Sequence, residues 1–397
     1  MVAKGVLSDT EIRKLVKEGF VYCEREIHDD QYQPTCLELR VGDWCRKIKG
    51  SFRGLGASYE DLENIVADYE AGPKIPLGDK PVTIRPDEKY VFALEERFRL
   101  SEDIWVHANP KSSIGRLNIQ VKLISNGEYD KLPTGYKEPV LLEVTSRSFV
   151  VSISKGDRLN QIRFYNKGMA DIRMKTDALE RRIEQMDFLY PPLVIQRDLF
   201  IKDSPPDRHE SRQLVKKNNL EENSLILTVD LEGCFSAKHA AQPIDVSKKE
   251  EYDASLFWNS VPKEWLYRKK RYSATLQKNE FYLFKTKERF CLPSSGKPAF
   301  VGEILPYDAS KGEFRAHSAA FIEYGFGNPE PTMLVLEITP YETLILEDGQ
   351  KICKVVFDYT AGLPERTYGS DKLDSYYQKQ MHVLSKHFKQ ETILDIR

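Results

Sequence analysis

The chain repeats itself. IRPDEKYVFALEERFRL, residues 84–100, aligns without gaps onto LQKNEFYLFKTKERFCL, residues 276–292, with seven of seventeen positions identical: Glu88 with Glu280, Tyr90 with Tyr282, Phe92 with Phe284, Glu96 with Glu288, Arg97 with Arg289, Phe98 with Phe290 and Leu100 with Leu292. The offset of 192 is nearly kept downstream, where VLLEV at 140–144 matches LVLEI at 334–338. KGDRLNQIRF at 155–164 then matches EDGQKICKVVF at 347–357, with Gly156 on Gly349. Three segments in the same order at a near-constant offset argue for a duplicated domain, because chance similarity between strands would not keep register. A chain of 397 residues accommodates two cores of ordinary size. Domains are expected at about 1–195 and 200–397, joined by the exposed connector IKDSPPDRHESRQLVKKNN.

Each copy reads as short strands punctuated by Gly, Pro, Asn and Asp. The 20 Tyr and 19 Phe sit largely in runs rich in Val, Ile and Leu, which predicts a mainly β protein. Within YVFALEERFRL, Glu96 and Arg97 predict a turn before a further strand, and Gly156 supplies a turn feeding the strand RLNQIRF. Helices are few. SDTEIRKLVKEG is one, with Ser8 or Asp9 as N-cap, an Ile12, Leu15 and Val16 stripe, and Gly19 as its stop. KTDALERRIEQM at 175–186 is another, ended by the prolines of YPPLVI. LDSYYQKQMHVLSKHFKQE is expected as a helix or an ordered arm able to cover a ligand.

No window approaches the ~18 apolar residues of a membrane-spanning helix, and the N-terminal stretch turns amphipathic instead of building a signal-peptide core. No membrane association and a cytoplasmic location are therefore expected. The six cysteines are scattered, with no CxxC pair, as reduced structural thiols would be. With 59 basic and 61 acidic residues the net charge is −2, so nothing drives the chain onto a nucleic-acid backbone, although local basic patches can hold a small anion. The seven histidines include no HExxH, and no HxE occurs with PCxxC. No protein-bound metal is expected, zinc included.

Three features carry possible chemistry. Glu143 and Glu337 occupy the same position in two otherwise apolar strands, where an ionised group is costly to bury. Both can face solvent on an alternating strand; a partly desolvated Glu at that position would instead suit general-base work on water. KSSIGR, 111–116, puts Lys111 and Arg116 around Ser112, Ser113 and one glycine. It is not a Walker loop, since Lys111 precedes the serines. In isolation the serines can equally cap a turn while Arg116 pairs with a surface acid. The copies differ here: the second lacks the serine pair and carries Arg315, His317, Ala319 and Ala320 before FIEYGFG. Copies that each keep a different half of a site are most simply explained by a pocket at the domain interface.

These residues together resemble the dCTP deaminase branch of the dUTPase-like superfamily, in its long duplicated bacterial form. SDTEIRKLVKEG followed by QPTCLELRVG resembles the family's opening. KSSIGRLNI resembles its (R/K)SSxxR signature, and AFIEYGFG followed by VLEI resembles the segment preceding the catalytic glutamate. RTYG, the Tyr pair and Gln380 resemble the closing tail.

The resemblance implies two tandem distorted β-barrels with a few short helices, forming a homo-oligomer. It also implies hydrolytic deamination of dCTP to dUTP and ammonia, without zinc and with Mg²⁺ bound only through the triphosphate. Glu337 would be the base activating water against cytosine C4, with Ser112 and Arg116 beside it. His317 would orient Glu337 or meet the leaving amine. Glu143 would be a vestige, or the working base if like copies pack together. Lys111, Ser113, Ala319, Phe326, Tyr368, Tyr377 and Gln380 would bind substrate, and dTTP would be a possible inhibitor. Further dUTP hydrolysis, or nucleotide binding without catalysis, are the alternatives.

Overall fold

The computed structural model describes residues 4–52, 64, 66–78, 80–125, 127–166, 168–185, 189–190, 219–296, 298–306, 314–317, 321–370, 373, 375–378 and 382–394. Two large, nearly closed antiparallel sheets dominate it. In the first, the strands run in space Ile119–Ile124, Pro139–Ser146, Lys89–Phe98, Leu37–Ile48, Arg158–Tyr165, Trp105–Pro110, Lys131–Leu132. In the second, the order is Phe314–His317, Thr332–Pro340, Tyr282–Phe290, Ser224–Ala237, Lys351–Tyr359, Phe300–Pro306, Phe321–Ile322. Strand for strand the orders match, and the mainly β, duplicated architecture read from the repeat is present in the molecule. No helix among the described residues is long and apolar enough to cross a membrane.

The repeated segment YVFALEERF behaves differently from its sequence expectation. It is one continuous strand in each copy, not a strand, a turn and a second strand. The ladder to the next strand shifts register between Ala93 and Arg97 in the first copy and between Lys285 and Arg289 in the second. The irregularity turns Glu96 inward, where it accepts from Arg40 N and Nε (both 2.8 Å) and from Gln31 Nε2 (2.9 Å). Glu288 likewise accepts from Thr228 N (2.9 Å) and Oγ1 (2.8 Å) and from Asn219 Nδ2 (3.0 Å). Burial raises the pKa of both carboxyls, and these donors offset only part of the rise.

Helix Asp9–Lys17 starts at Ser8 with a reciprocal capping box to Glu11 and stops before Gly19, whose φ of 78° suits the turn out of the helix. Helix Thr176–Gln185 falls on the other expected segment and packs across the boundary drawn from sequence. Leu179, Ile183 and Met174 pack into the second copy's core, and Leu189–Tyr190 pairs with Phe290 and Arg289 as Val21–Tyr22 pairs with Phe98 and Arg97. Residues of the 174–190 stretch thus pack on the second copy although they precede the expected break at 195–200 in sequence. Of the connector 201–219, only Asn219 lies within the described residues.

The copies are interlocked. Ile244–Asp245 of the second copy adds a parallel strand beside Val151–Ile153 of the first. Phe257 and Trp258, together with Val383, Leu384, Phe388 and Ile393, are buried in the first copy's cluster. Arg163, fully buried, reaches across to donate to the carbonyls of Gly302 (2.9 Å) and Ile322 (3.1 Å) and to Glu323 (3.2 Å).

Candidate active site

KSSIGR folds as a single turn of helix, Ser112–Gly115, between strands Trp105–Pro110 and Ile119–Ile124, with Lys111 in the extended N-cap position. Arg116 follows it and folds back, Nε donating to Ser112 Oγ at 3.1 Å. Only 3% of the residue is exposed. Its guanidinium lies 3.9 Å from the centroid of the Tyr377 ring, and Nη1 donates to the carbonyls of Val383 (3.2 Å) and Leu384 (3.4 Å). Burial lowers the Arg116 pKa, opposed chiefly by Tyr377 and the Glu337 carboxylate. The first-copy arginine thus sits within electrostatic reach of the second-copy glutamate, 221 positions away in sequence.

Glu337 is 2% exposed on strand Thr332–Pro340. Alternation puts it on the same face as Val335, which lines a cleft between the copies. The ladder places Leu283 on one side of Glu337 and His317 on the other. His317 is described by its backbone strand only.

The cleft encloses about 950 Å³ including its open mouth, and its walls bring Lys111, Ser112, Ser113 and Arg116 together with Phe326, Tyr368 and Tyr377. The Tyr368 ring packs 5.7 Å from that of Phe326, and its backbone N–H donates to Tyr324 O at 2.9 Å. Ala319 and Gln380 lie outside the described residues.

Glu143 has a different environment. It too is 2% exposed, but its ladder neighbour in the position of His317 is Lys122, whose Nζ lies 3.3 Å from Oε1. Ser51 Oγ donates to the same oxygen at 2.6 Å. The first copy's glutamate is thereby committed to an ion pair and is not brought to the cleft.

Several cleft residues carried no sequence signal strong enough to find them. Lys111 Nζ pairs with Glu38 Oε2 at 2.6 Å, and Arg158 Nη1 is 3.4 Å from the same oxygen. Lys386 faces this group, and burial together with Lys111 and Lys249 pulls its pKa down to about 8. Lys111, Arg158, Lys249 and Lys386 thus gather at the cleft's rim, with Glu38, Asp30 and Asp157 among them. Glu323 accepts from Thr35 N (2.9 Å), Thr35 Oγ1 (2.7 Å), Cys36 Sγ (2.7 Å) and Arg163. It fastens the cleft's floor to the first copy. Lys386 and Lys249 lie in charged stretches whose convergence depends on the fold, and Glu323 gains its role only from the Thr35, Cys36 and Arg163 donors of the other copy. Among the described residues, no three His, Cys, Asp or Glu side chains converge as a metal cluster.

A family model for the 2'-deoxycytidine 5'-triphosphate deaminase N-terminal domain matches residues 3–168, and the model for the C-terminal domain matches residues 202–388. The chain belongs to the dCTP deaminase family. A "dCTP deaminase, dUMP-forming" of Dictyoglomus thermophilum is 30% identical over 40% of this chain and 79% of its own length. One of Methanosphaera stadtmanae, with the same description, is 29% identical over 40% of this chain and 78% of its own. A "dCTP deaminase" of Haloarcula marismortui is 26% identical over 40% and 79%. Among solved structures, the 2'-deoxycytidine 5'-triphosphate deaminase of Agrobacterium tumefaciens superposes with a TM-score of 0.75 at 27% identity, covering 91% of this chain and all of that one. Whereas those curated relatives align with less than half of this chain, the Agrobacterium dCTP deaminase matches it over both copies.

Proposed function

We propose that this dCTP deaminase family member hydrolyses dCTP to dUTP and ammonia, with Glu337 as the base. The observation carrying the reading is the convergence of the Ser112–Arg116 turn of one copy and the Glu337 strand of the other on a single cleft. Glu337 takes a proton from the water attacking cytosine C4. Arg116 stabilises the charge that develops, and Ser112 holds the water or the amino group. Collapse of the tetrahedral intermediate breaks the C4–N4 bond as that proton passes to the departing amine, while the C4 hydroxyl's remaining proton ends on N3, so water and dCTP become dUTP and ammonia. His317, opposite Glu337 in the ladder, orients the carboxylate.

Lys111 and Ser113, with Arg158, Lys249 and Lys386 at the rim, suit the triphosphate, while Phe326, Tyr368 and Tyr377 offer rings to base and sugar. Mg²⁺ would arrive on the triphosphate and offset part of its charge, and dTTP would compete for the same rim. Relatives described as dUMP-forming favour a second reading, in which the dUTP goes on to dUMP and diphosphate.

Assays of ammonia, dUTP, dUMP and diphosphate from dCTP, CTP, dCMP and dUTP, with and without EDTA, separate these readings. Ammonia with dUTP supports the first and dUMP with diphosphate the second. A folded chain that releases no ammonia from dCTP refutes both.

A further inference from the structure

The end of the described chain is not a free tail. The Phe388 ring packs 5.5 Å from Phe257 and 6.0 Å from Trp258, and Ile393 is buried in the same cluster. A segment anchored this way returns to the cleft with fixed geometry. Between the anchor and the cleft lie Ser385 and His387, both wholly buried.

Ser385 Oγ is 2.8 Å from the Ser113 carbonyl and 2.8 Å from His387 Nδ1, and His387 Nε2 is 3.1 Å from the Val246 carbonyl. A carbonyl can only accept, so the ring proton belongs on Nε2, leaving Nδ1 to accept from Ser385. The hydroxyl's single proton is then shared between the ring and the Ser113 carbonyl. Burial pushes the imidazole down to about 4, so the ring is neutral at ordinary pH. An aliphatic side chain would fill this space with less desolvation, but it would tie nothing down.

What the relay ties down is the setting of Arg116. The carbonyls of Val383 and Leu384 that receive its guanidinium immediately precede Ser385. Tyr377, whose ring lies against it, accepts from Lys386 N at 3.1 Å through its hydroxyl. Ser385 meanwhile grips the carbonyl of Ser113, inside the turn that carries Arg116. Ring, carbonyls and turn thus share one fastening.

We propose that His387, acting through Ser385, is a positioning residue that holds Arg116 and the Ser112–Ser113 turn in register with the second copy's strand. The effect on catalysis rests on the deaminase reading; the mechanical effect does not.

The full chain carries the test, in two measurements. The first is hydrogen exchange of the 111–118 segment, which needs no turnover. His387→Leu and Ser385→Ala should speed exchange there, and unchanged exchange would overturn the proposal whether or not the chain deaminates dCTP. The second is steady-state kinetics. Displacing a catalytic group by about 1 Å costs on the order of a hundredfold, so kcat should fall about tenfold to a hundredfold, with KM for dCTP within about threefold.

In an Arg116→Ala background, Ser385→Ala should change kcat by less than about twofold, because residues acting as one unit are not additive. Effects that multiply, or a rise confined to KM, overturn the assignment. His387→Asn, which keeps an acceptor near the Nδ1 position, should recover much of the kcat lost in His387→Leu. Should Ser385→Ala fail to fold, Ser385→Cys, with nearly the same shape and a weak donor, takes its place. An inactive wild type would refute the deaminase reading alone.

Discussion

Replacing the two repeat-related glutamates one at a time separates a base from a structural ion pair. For Glu337→Gln, losing a general base is expected to lower kcat by ~10²–10⁴-fold. KM for dCTP should stay within a few-fold, because amide and carboxylate have the same shape. For Glu143→Gln the structure predicts the opposite pattern. Lys122 Nζ lies 3.3 Å from Glu143 Oε1, a separation worth about 5 kcal/mol of attraction at an effective dielectric near 20. Desolvation offsets most of that, and the Lys122 side chain is 31% exposed, so screening reduces it further. The net loss on neutralising Glu143 is about 1–2 kcal/mol. Ser51 can still donate to the Gln side-chain oxygen. At about 2–4 °C per kcal/mol the melting temperature should drop by about 2–8 °C, while kcat is unchanged. Ammonia release and thermal denaturation of both purified variants provide the measurements. A folded Glu143→Gln protein without activity, beside an active Glu337→Gln protein, would refute the assignment and move the base to the first copy.

Two further outcomes follow from charges at the interface. Lys386 faces the cations Lys111, Lys249 and Arg158 and the carboxylates Glu38 and Asp157, and its pKa is lowered to about 8, chiefly by burial. Because the folded value lies below the ordinary one, Lys386 is charged below pH 8 and loses its proton above it. Affinity for a triphosphate should therefore weaken as pH rises through 8, and binding above pH 8 should take up protons. Calorimetry in two buffers of different ionisation enthalpy measures that uptake; its absence, with KM constant from about pH 7 to 9.5, would contradict the placement of phosphate beside Lys386. Arg163→Ala would strand the Glu323 carboxylate and the Gly302 and Ile322 carbonyls inside the interface. A loss of about 3–5 kcal/mol in denaturant unfolding is expected, and a loss below about 1 kcal/mol would refute its part in joining the copies.

Much of the fold was legible because duplication leaves the same strand pattern twice, and alternation, turn glycines and the Ser8 cap are local properties. The departure has a physical cause. Glu96 looked like a turn residue because a carboxylate in a strand suggests solvent; a register shift and the Arg40 and Gln31 donors bury it instead. Sequence order does not say which core helix Thr176–Gln185 packs on, and Leu179 and Ile183 pack on the second. Of the two forms expected for the tail, the described residues show the ordered arm, with turns at 376–378, Val383, Leu384 and Phe388 buried, and a short helix at Gln390–Leu394.

The sequence by itself determined that two β domains are repeated, that one copy carries the Ser-Ser-Arg turn alone, and that both carry a glutamate on an apolar strand. Repetition and residue identity are one-dimensional facts. Only the tertiary structure decided which glutamate lies within electrostatic reach of Arg116. The ladder sets Lys122 beside Glu143 and His317 beside Glu337, and the packing of one copy on the other brings Glu337 within the electrostatic reach of the arginine. It also decided that Ser385 and His387 stand behind that arginine, because hydrogen bonds across 272 and 141 positions of chain exist only once the chain has folded.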